Sequence, residues 1–302
     1  MKKIYLHVYL VFALLVATFI VGSFFDYQIN DALFSNKDTF GLVISVIGTI
    51  PGYGVLAFLG GGLVYLGIKR EYPHKFWKYF NVGFGILSFG LSVYFIGKEF
   101  FGPNGFDYLN INPLFGLLIA LPVDAAIGFL GYKITCKTNN DKLWLIYIIL
   151  ALAIGVALIG GVTLLKSIFH RPRFRSLGTV SGLEYHNWWS VCSDYKTFIN
   201  DYGVLSEEFK SFPSGHAGTC GVFLMSSLFL PYIDKKYEKI SYVLFGCGFI
   251  WTLLVSFARM RVGAHFLSDV SMGALLSIIF IFIAKVVIDN VKYFSHSDKN
   301  EL

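Results

Sequence analysis

The sequence predicts an all-α, polytopic bundle of membrane-spanning helices. Of the 302 residues, 55% are hydrophobic and 15% are charged, and the mean hydropathy is +0.63. A soluble domain usually carries about 25% charged residues. The apolar residues also occur in runs of about 20, which as helices cross roughly 30 Å of hydrocarbon. The net charge of +6 is then explained by basic membrane-flanking loops, and no nucleic-acid partner is expected.

About eight spans follow from these runs. The first is too long for a signal-peptide core and lacks a small-x-small cleavage site, so we interpret it as a retained anchor. Gly60, Gly61 and Gly62 in the second predict close helix contact. The spans are predicted near 5–25, 45–68, 79–97, 113–132, 143–165, 215–233, 240–258 and 269–290.

The basic residues of the loops predict the orientation. They concentrate before the first span and in the second, fourth and sixth loops, whereas the first and third loops contain only Lys37 and Lys98. Because basic residues collect in cytoplasmic loops, we expect a multi-pass protein of the cell membrane with both termini, including the tail 291–302, and the even-numbered loops in the cytoplasm. The long fifth loop and the short seventh are then outside. The basic positions are Lys2, Lys3, Lys69, Arg70, Lys75, Lys78, Lys133, Lys137, Lys142, Lys235, Lys236 and Lys239.

Three polar stretches lie at the outer ends of predicted spans. They run over 166–173, 213–216 and 259–269. The predicted orientation depends on loop charges alone, so the position of all three stretches on one side of the membrane is an independent observation. They include two histidines, His216 and His265, an aspartate, a lysine and the two arginines Arg173 and Arg259, a set that suits a phosphate group that is bound and transferred to a histidine.

The second stretch, Pro213-Ser-Gly-His216, stands immediately before an apolar run. Ser214 suits a helix N-cap, and Gly215 lets the backbone approach a ligand. The free N–H groups of a helix start favour an anion. His216 is placed to protonate a leaving oxygen. Alone, the tetrapeptide fits a capped helix with an interfacial histidine equally well.

The other two stretches carry a nucleophile and cations. His265 and Asp269 share a helix face, so the carboxylate can fix the imidazole tautomer. The Lys166 ammonium offers a point charge to a phosphate group. The planar guanidinium groups of Arg173 and Arg259 offer paired N–H donors to its oxygens. The alternatives are an incidental juxtamembrane ion pair and a snorkelling lysine followed by a basic loop. His170, Arg171 and Arg175 fit that basic loop better, although Arg171 is also a candidate for a second phosphate.

The combination resembles the type 2 phosphatidic acid phosphatase (PAP2) superfamily. That family's signature is K-x6-R-P, then P-S-G-H, then S-R-x5-H-x3-D. The sequence differs at Phe174, where the family has proline, and at Ala258, where it often has serine. It matches in the same order at Lys166, Arg173, Pro213, Ser214, Gly215, His216, Arg259, His265 and Asp269.

The resemblance implies a PAP2-like catalytic core at 140–290 with spans 5–8, preceded by spans 1–4 at 1–139. It implies metal-independent hydrolysis of a lipid phosphate, without a cofactor, through a phosphohistidine at His265. Asp269 orients His265, and His216 protonates the leaving group. The phosphoryl oxygens are then bound by Lys166, Arg173, Ser214, Gly215 and Arg259.

The sequence leaves several alternatives open. The candidate substrates are undecaprenyl diphosphate, phosphatidylglycerophosphate and phosphatidic acid. A lipid phosphotransferase and a non-catalytic lipid- or anion-binding or transport protein remain, although pure binding needs no nucleophile. Asp124 inside the fourth span is a functional candidate or a structural hydrogen-bond partner. Aromatic residues of the fifth loop are candidates for headgroup contact or simple interface anchoring, namely Tyr185, Trp188, Trp189 and Tyr195.

Overall fold

The computed structural model describes residues 2–36, 38–102 and 112–290, so Lys37 and the predicted tail 291–302 lie outside the described part. About 80% of that part is helical and none of it forms a strand, which confirms the all-α bundle. The long helices are α1 (Lys2–Leu33), α3 (Ile50–Lys69), α4 (Lys75–Phe101), α5 (Gly116–Thr135), α10 (Glu238–Arg261) and α11 (Leu267–Asn290). The shorter helices are α2 (Thr39–Gly48), α6 (Leu143–Gly155), α7 (Leu164–Phe169), α8 (Tyr195–Tyr202) and α9 (Gly215–Ser226).

Seven helical segments of the described residues are long and apolar enough to cross a membrane. The predicted sixth span, 215–233, is the exception to the expected eight. It consists of α9 followed by a 3-10 helix, Ser227–Tyr232. The Ser227 hydroxyl donates a hydrogen bond to the carbonyl of Leu224 (2.7 Å), and Pro231 lacks an N–H. Both features favour departure from the regular α-helical ladder.

α9 lies at the centre of the bundle and packs against α3, α10 and α11. α1 packs against α11, and α2 packs against α10. The N-terminal helices therefore share one helical bundle with the region that carries the polar stretches.

Close packing among α3, α4 and α5 depends on glycine. A Cβ on Gly61 would lie 1.8 Å from the carbonyl oxygen of Gly128, and one on Gly60 would lie 2.6 Å from that of Gly85. One on Gly62 would lie 2.4 Å from the ring of Tyr147. The close helix contacts predicted for these three glycines are confirmed, since no other residue fits without displacing a neighbour.

The connecting loops group at two ends of the bundle. At one end Arg70 forms an ion pair with Asp141 (2.5 Å), and the Thr138 hydroxyl donates to the carbonyl of Ile233 (2.8 Å). At the other end Arg261 pairs with Asp38 (2.9 Å). The second, fourth and sixth loops thus meet at one end, and the first and seventh meet at the other.

Asp124 is buried in α5, where the Ser92 hydroxyl of α4 donates to its Oδ1 (2.9 Å). It does not line the cavity described below. The contact joins two packed helices, which fits the structural alternative for this intramembrane acid.

Candidate active site

The three polar stretches meet around one cavity of about 820 Å³ at the end of the bundle that holds the seventh loop. Five of the predicted site residues line it: Lys166, Arg173, Gly215, His216 and His265. The other three, Ser214, Arg259 and Asp269, are buried and do not line the cavity.

Lys166 is placed by an irregular helix. Residues Val156–Thr163 form a π-helical segment between α6 and α7, and Lys166 lies in the first turn of α7. π-Helical turns are rare and occur frequently at functional sites. The Lys166 ammonium donates to the backbone carbonyl of Lys210, which holds its charge at the cavity wall.

Arg173 belongs to a small network of charges on the fifth loop. Its side chain is 2% exposed and lies 3.7 Å from the carboxylate of Glu207, which also pairs with Lys210 (2.5 Å). Burial alone would raise the pKa of Glu207, but the Lys210 hydrogen bond and the Arg173 charge outweigh it and lower the pKa. Glu207 therefore stays ionised and balances part of the positive charge around the cavity.

His216 is the second residue of α9, and Ser214 caps this helix by accepting a hydrogen bond from the N–H of Ala217 (3.4 Å). The imidazole Nε2 lies 3.1 Å from the carbonyl oxygen of Ser45 in α2. A carbonyl oxygen can only accept a hydrogen bond, so Nε2 carries a proton and donates a hydrogen bond to the Ser45 carbonyl. The carboxylate of Glu99, at the end of α4, lies 3.6 Å from the same nitrogen.

The loop before α9 is pressed against α11. A Cβ on Gly273 would lie 2.1 Å from the carbonyl oxygen of Ser214. The Ser214 N–H also donates to the carbonyl of Asp269 (2.9 Å). Gly273 therefore permits the approach that fixes the start of α9 beside the start of α11.

His265 lies in the short connection between α10 and α11. Its Nδ1 donates to the carbonyl of Ser211 (2.7 Å), which leaves the Nε2 lone pair available in the neutral ring. Burial, followed by the charges of Lys166 and Arg259, lowers the pKa of His265 well below its ordinary 6.5. The imidazole is consequently neutral near pH 7, the state that a nucleophile requires.

Asp269 does not make the expected direct hydrogen bond with His265. Its Oδ2 lies 3.8 Å from Nδ1 and instead accepts from the Ser211 hydroxyl and from the N–H of Phe266 (2.8 Å). The backbone of Ser211 and the side chain of Asp269 thus position His265 together. The sequence spacing predicted the neighbourhood of the two residues but not this intermediate serine.

Arg171 holds Asp269 from the other side. It donates to Asp269 (2.6 Å) and to Asp26 of α1 (2.9 Å), and all three side chains are 0% exposed. The hydroxyl and N–H of Ser268 also donate to Asp26. Arg171 is therefore a structural cation, which contradicts its assignment to a basic loop and to a second phosphate.

Sequence reasoning missed Asp26, Glu99, Glu207 and the role of Arg171. Asp26 and Glu99 are acids just beyond the predicted ends of the first and third spans. An acid next to an apolar run was the available signal, because such groups are costly unless a partner compensates them.

The fifth-loop aromatic residues mostly have partners inside the protein. The Trp188 indole donates to Ser23 (2.8 Å), Tyr185 accepts from Arg171 (3.1 Å), and Tyr195 stacks on His170 with ring centroids 3.6 Å apart. Trp189 is 49% exposed. None of these four aromatic residues lines the cavity, so headgroup contact stays a prediction.

The two residues that depart from the PAP2 signature, Phe174 and Ala258, both pack inside the protein. Phe174 packs against Tyr27 and Phe34 of the N-terminal region and against Phe266. Ala258 is fully buried in α10. Phe174 thus contributes an aromatic contact that joins α1 to the loop of Arg173 and to the connection between α10 and α11.

Within the described residues, no group of three or more histidine, cysteine, aspartate or glutamate side chains is arranged to hold a metal ion. The lysine and arginine side chains that line the cavity are Lys98, Lys166, Arg173 and Lys210, whereas Arg259 is buried and does not line it.

One of three comparisons with known proteins found a match. The family model described as "PAP2 superfamily" matches residues 144–293. Searches of curated proteins and of solved structures gave no match. The matched region contains all three polar stretches, whereas Asp26, Ser45 and Glu99 precede it.

Proposed function

Because the chain belongs to the PAP2 superfamily, whose members have phosphatase-type activity on lipid phosphates, we propose that it hydrolyses a membrane lipid phosphate through a phosphohistidine on His265. The observation that carries the proposal is the shape of the cavity. Its polar end contains Lys166, Arg173, His216 and His265 together with the charged side chains of Lys98, Glu99, Glu207 and Lys210, and most of the remaining lining is apolar.

The apolar part lies between α4 and the helix formed by α6 and the π-helical segment. Leu87 and Leu91 line it on one side, and Val156 and Ile159 line it on the other. Leu87 is 56% exposed and Ile159 is 63% exposed, so the cavity extends to the lateral surface of the bundle. A lipid can place its phosphate among the cations while its apolar chain remains continuous with the bilayer.

The proposed reaction has two steps. The Nε2 lone pair of His265 attacks phosphorus, the bond from phosphorus to the lipid oxygen breaks, and His216 protonates that oxygen. Water then attacks the phosphohistidine and returns its proton to His216, which releases phosphate. Lys166 and Arg173, which line the cavity, stabilise the charge on the phosphoryl oxygens, the main requirement of phosphoryl transfer. Arg259 does not line the cavity and adds its positive charge from a buried position whose field reaches His216 and His265.

Gly215 and Ser214 have secondary roles in this scheme. A Cβ on Gly215 would have only Val162 within 4 Å, at 3.9 Å, so a phosphoryl oxygen can approach the backbone there. Ser214 fixes the helix start whose N–H groups face an anion. No metal or cofactor takes part in the proposed reaction.

The loop charges support an orientation in which the site faces away from the cytoplasm. A lipid phosphate presented on that side would enter laterally from the outer leaflet.

The proposal is tested by phosphate release from a panel of lipid phosphates in mixed micelles with EDTA present. The panel contains undecaprenyl diphosphate, phosphatidylglycerophosphate and phosphatidic acid. We expect turnover of at least one of them, unaffected by EDTA and abolished in His265→Ala. Binding of a lipid without turnover would favour the non-catalytic alternative, and activity that EDTA abolishes and Mg²⁺ restores would contradict the metal-independent mechanism.

A further inference from the structure

Glu99 of α4 is an acid at the active site that comes from outside the residues matched by the family model. It lines the same cavity as His216 and His265, and its Oε2 lies 3.6 Å from the Nε2 of His216. Its side chain is 16% exposed. A carboxylate in a phosphate-binding cavity repels the substrate, so its presence there calls for a function.

The hydrogen bonds of His216 indicate that function. Its Nε2–H is directed at the carbonyl of Ser45, and its Nδ1 makes no hydrogen bond within the described residues. Nδ1 is therefore the nitrogen available to a leaving oxygen. To donate from Nδ1 while Nε2 keeps its proton, His216 must be an imidazolium.

An imidazolium at this position is opposed by its surroundings. Burial, followed by the charge of Arg259 and of the other neighbouring cations, lowers the pKa of His216 well below its ordinary 6.5. Glu99 is the carboxylate nearest to the ring. The charged and titratable groups around the two residues are Tyr53 of α3, Lys98 of α4, Lys166 of α7, Arg173 and Glu207 of the fifth loop, Arg259 of α10, and His265.

We propose that Glu99 is a positioning residue that holds His216 as the imidazolium whose Nδ1–H protonates the leaving oxygen. This inference rests on the proposed function. The proton balance is simple: Nδ1–H passes to the departing alkoxide, Nε2–H stays on the Ser45 carbonyl, and the attacking water of the second step returns a proton to Nδ1. Glu99 keeps its negative charge throughout. α4 would then supply the carboxylate that keeps His216, a residue of the matched region, in its proton-donating form.

The test compares Glu99→Gln with the wild type on two substrates over a range of pH. One is a lipid phosphate, whose alkoxide needs a proton, and the other is an aryl phosphate, whose leaving group needs little. In Glu99→Gln we expect kcat for the lipid to fall about ten-fold or more, with a smaller change for the aryl phosphate. The alkaline limb of the lipid profile should move to lower pH by about one unit.

The matched control is Asp124→Asn, the same change of acid to amide at a buried residue of α5, a helix that contacts α4 outside the cavity. It should leave both the substrate ratio and the alkaline limb unchanged. Glu99→Asp retains the charge and should keep its alkaline limb close to that of the wild type. A structural role alone would lower activity on both substrates without moving the limb.

The outcomes separate this inference from the proposed function. Wild-type turnover combined with an unchanged ratio and limb in Glu99→Gln would overturn the role of Glu99 alone. Absence of wild-type turnover would overturn both. If Glu99→Gln does not fold, Glu99→Asp, which keeps the negative charge, still decides: its ratio of lipid to aryl phosphate turnover should stay close to that of the wild type, and a fall of that ratio by about ten-fold or more would refute the inference.

Discussion

Replacement of Arg171 by methionine should destabilise the protein more than any change at an exposed ion pair. The Arg171 guanidinium binds Asp26 (2.9 Å) and Asp269 (2.6 Å), and none of the three side chains is exposed. Arg171→Met therefore leaves two buried carboxylates without their shared cation. Breaking a buried pair on one side costs about 3–5 kcal/mol, and we expect a loss in that range.

A double-mutant cycle identifies the origin of the loss. In a protein that lacks Arg171, Asp26→Asn removes one of the two uncompensated charges, so the second substitution should cost less than it does in the wild type. The coupling energy between the two sites should be about 1–3 kcal/mol. The matched control is Arg70→Met, which breaks a pair with Asp141, a side chain that is 81% exposed. That change should cost less than about 1 kcal/mol.

The assay is equilibrium unfolding in mixed detergent micelles, followed by tryptophan fluorescence. Strictly additive effects of Asp26→Asn and Arg171→Met, or an Arg171→Met protein as stable as Arg70→Met, would refute the argument. Activity gives a second reading, because loss of Arg171 releases Asp269 and should lower kcat through a displaced His265.

Three further predictions concern orientation, protonation and the apolar cavity. In a background without native cysteines, a cysteine at Thr179 should react with an impermeant thiol reagent on intact cells and one at Lys236 only after permeabilisation; the reverse would overturn the orientation. Because the pKa of His265 lies well below 6.5, its neutral form persists below that pH, and phosphoenzyme formation, corrected for substrate ionisation, should show no loss of rate at pH 6.5. Gly155 lines the cavity and Gly90 does not, and a Cβ at either meets nothing within 4 Å. Gly155→Phe should raise KM for a lipid about ten-fold, as expected if overpacking costs about 1–3 kcal/mol. The KM of Gly155→Phe for an aryl phosphate should stay unchanged, and so should the KM of the control Gly90→Phe for the lipid.

Much of the fold was predictable because its signals are local. Runs of about 20 apolar residues determine membrane-spanning helices, and the structure has seven such segments among its described residues. The sixth predicted span was harder, because hydropathy does not report the change from α- to 3-10 helix at Ser227. The Ser227 hydroxyl, which bonds to the carbonyl of Leu224, and Pro231, which lacks an N–H, favour that change, and an average of hydropathy does not detect either feature.

The residue types of the candidate site were predictable from the sequence, but the residues that position them were not. The spacing of His265 and Asp269 placed them together, yet the hydrogen bond to His265 comes from Ser211. Asp26 and Glu99 reach the site from helices far away in sequence. Only packing of the whole bundle brings them there, and no local pattern specifies which buried acid meets which base.

The central claim is that His265 carries the phosphoryl group, and acid-free rapid quench of the enzyme with labelled substrate tests it most directly. The phosphopeptide is mapped by mass spectrometry in the wild type and in His216→Ala, where slower turnover with a lipid should preserve the site of labelling. We predict a phosphohistidine at His265 and no label in His265→Ala. A label on any other residue, or wild-type turnover in His265→Ala, would contradict the account.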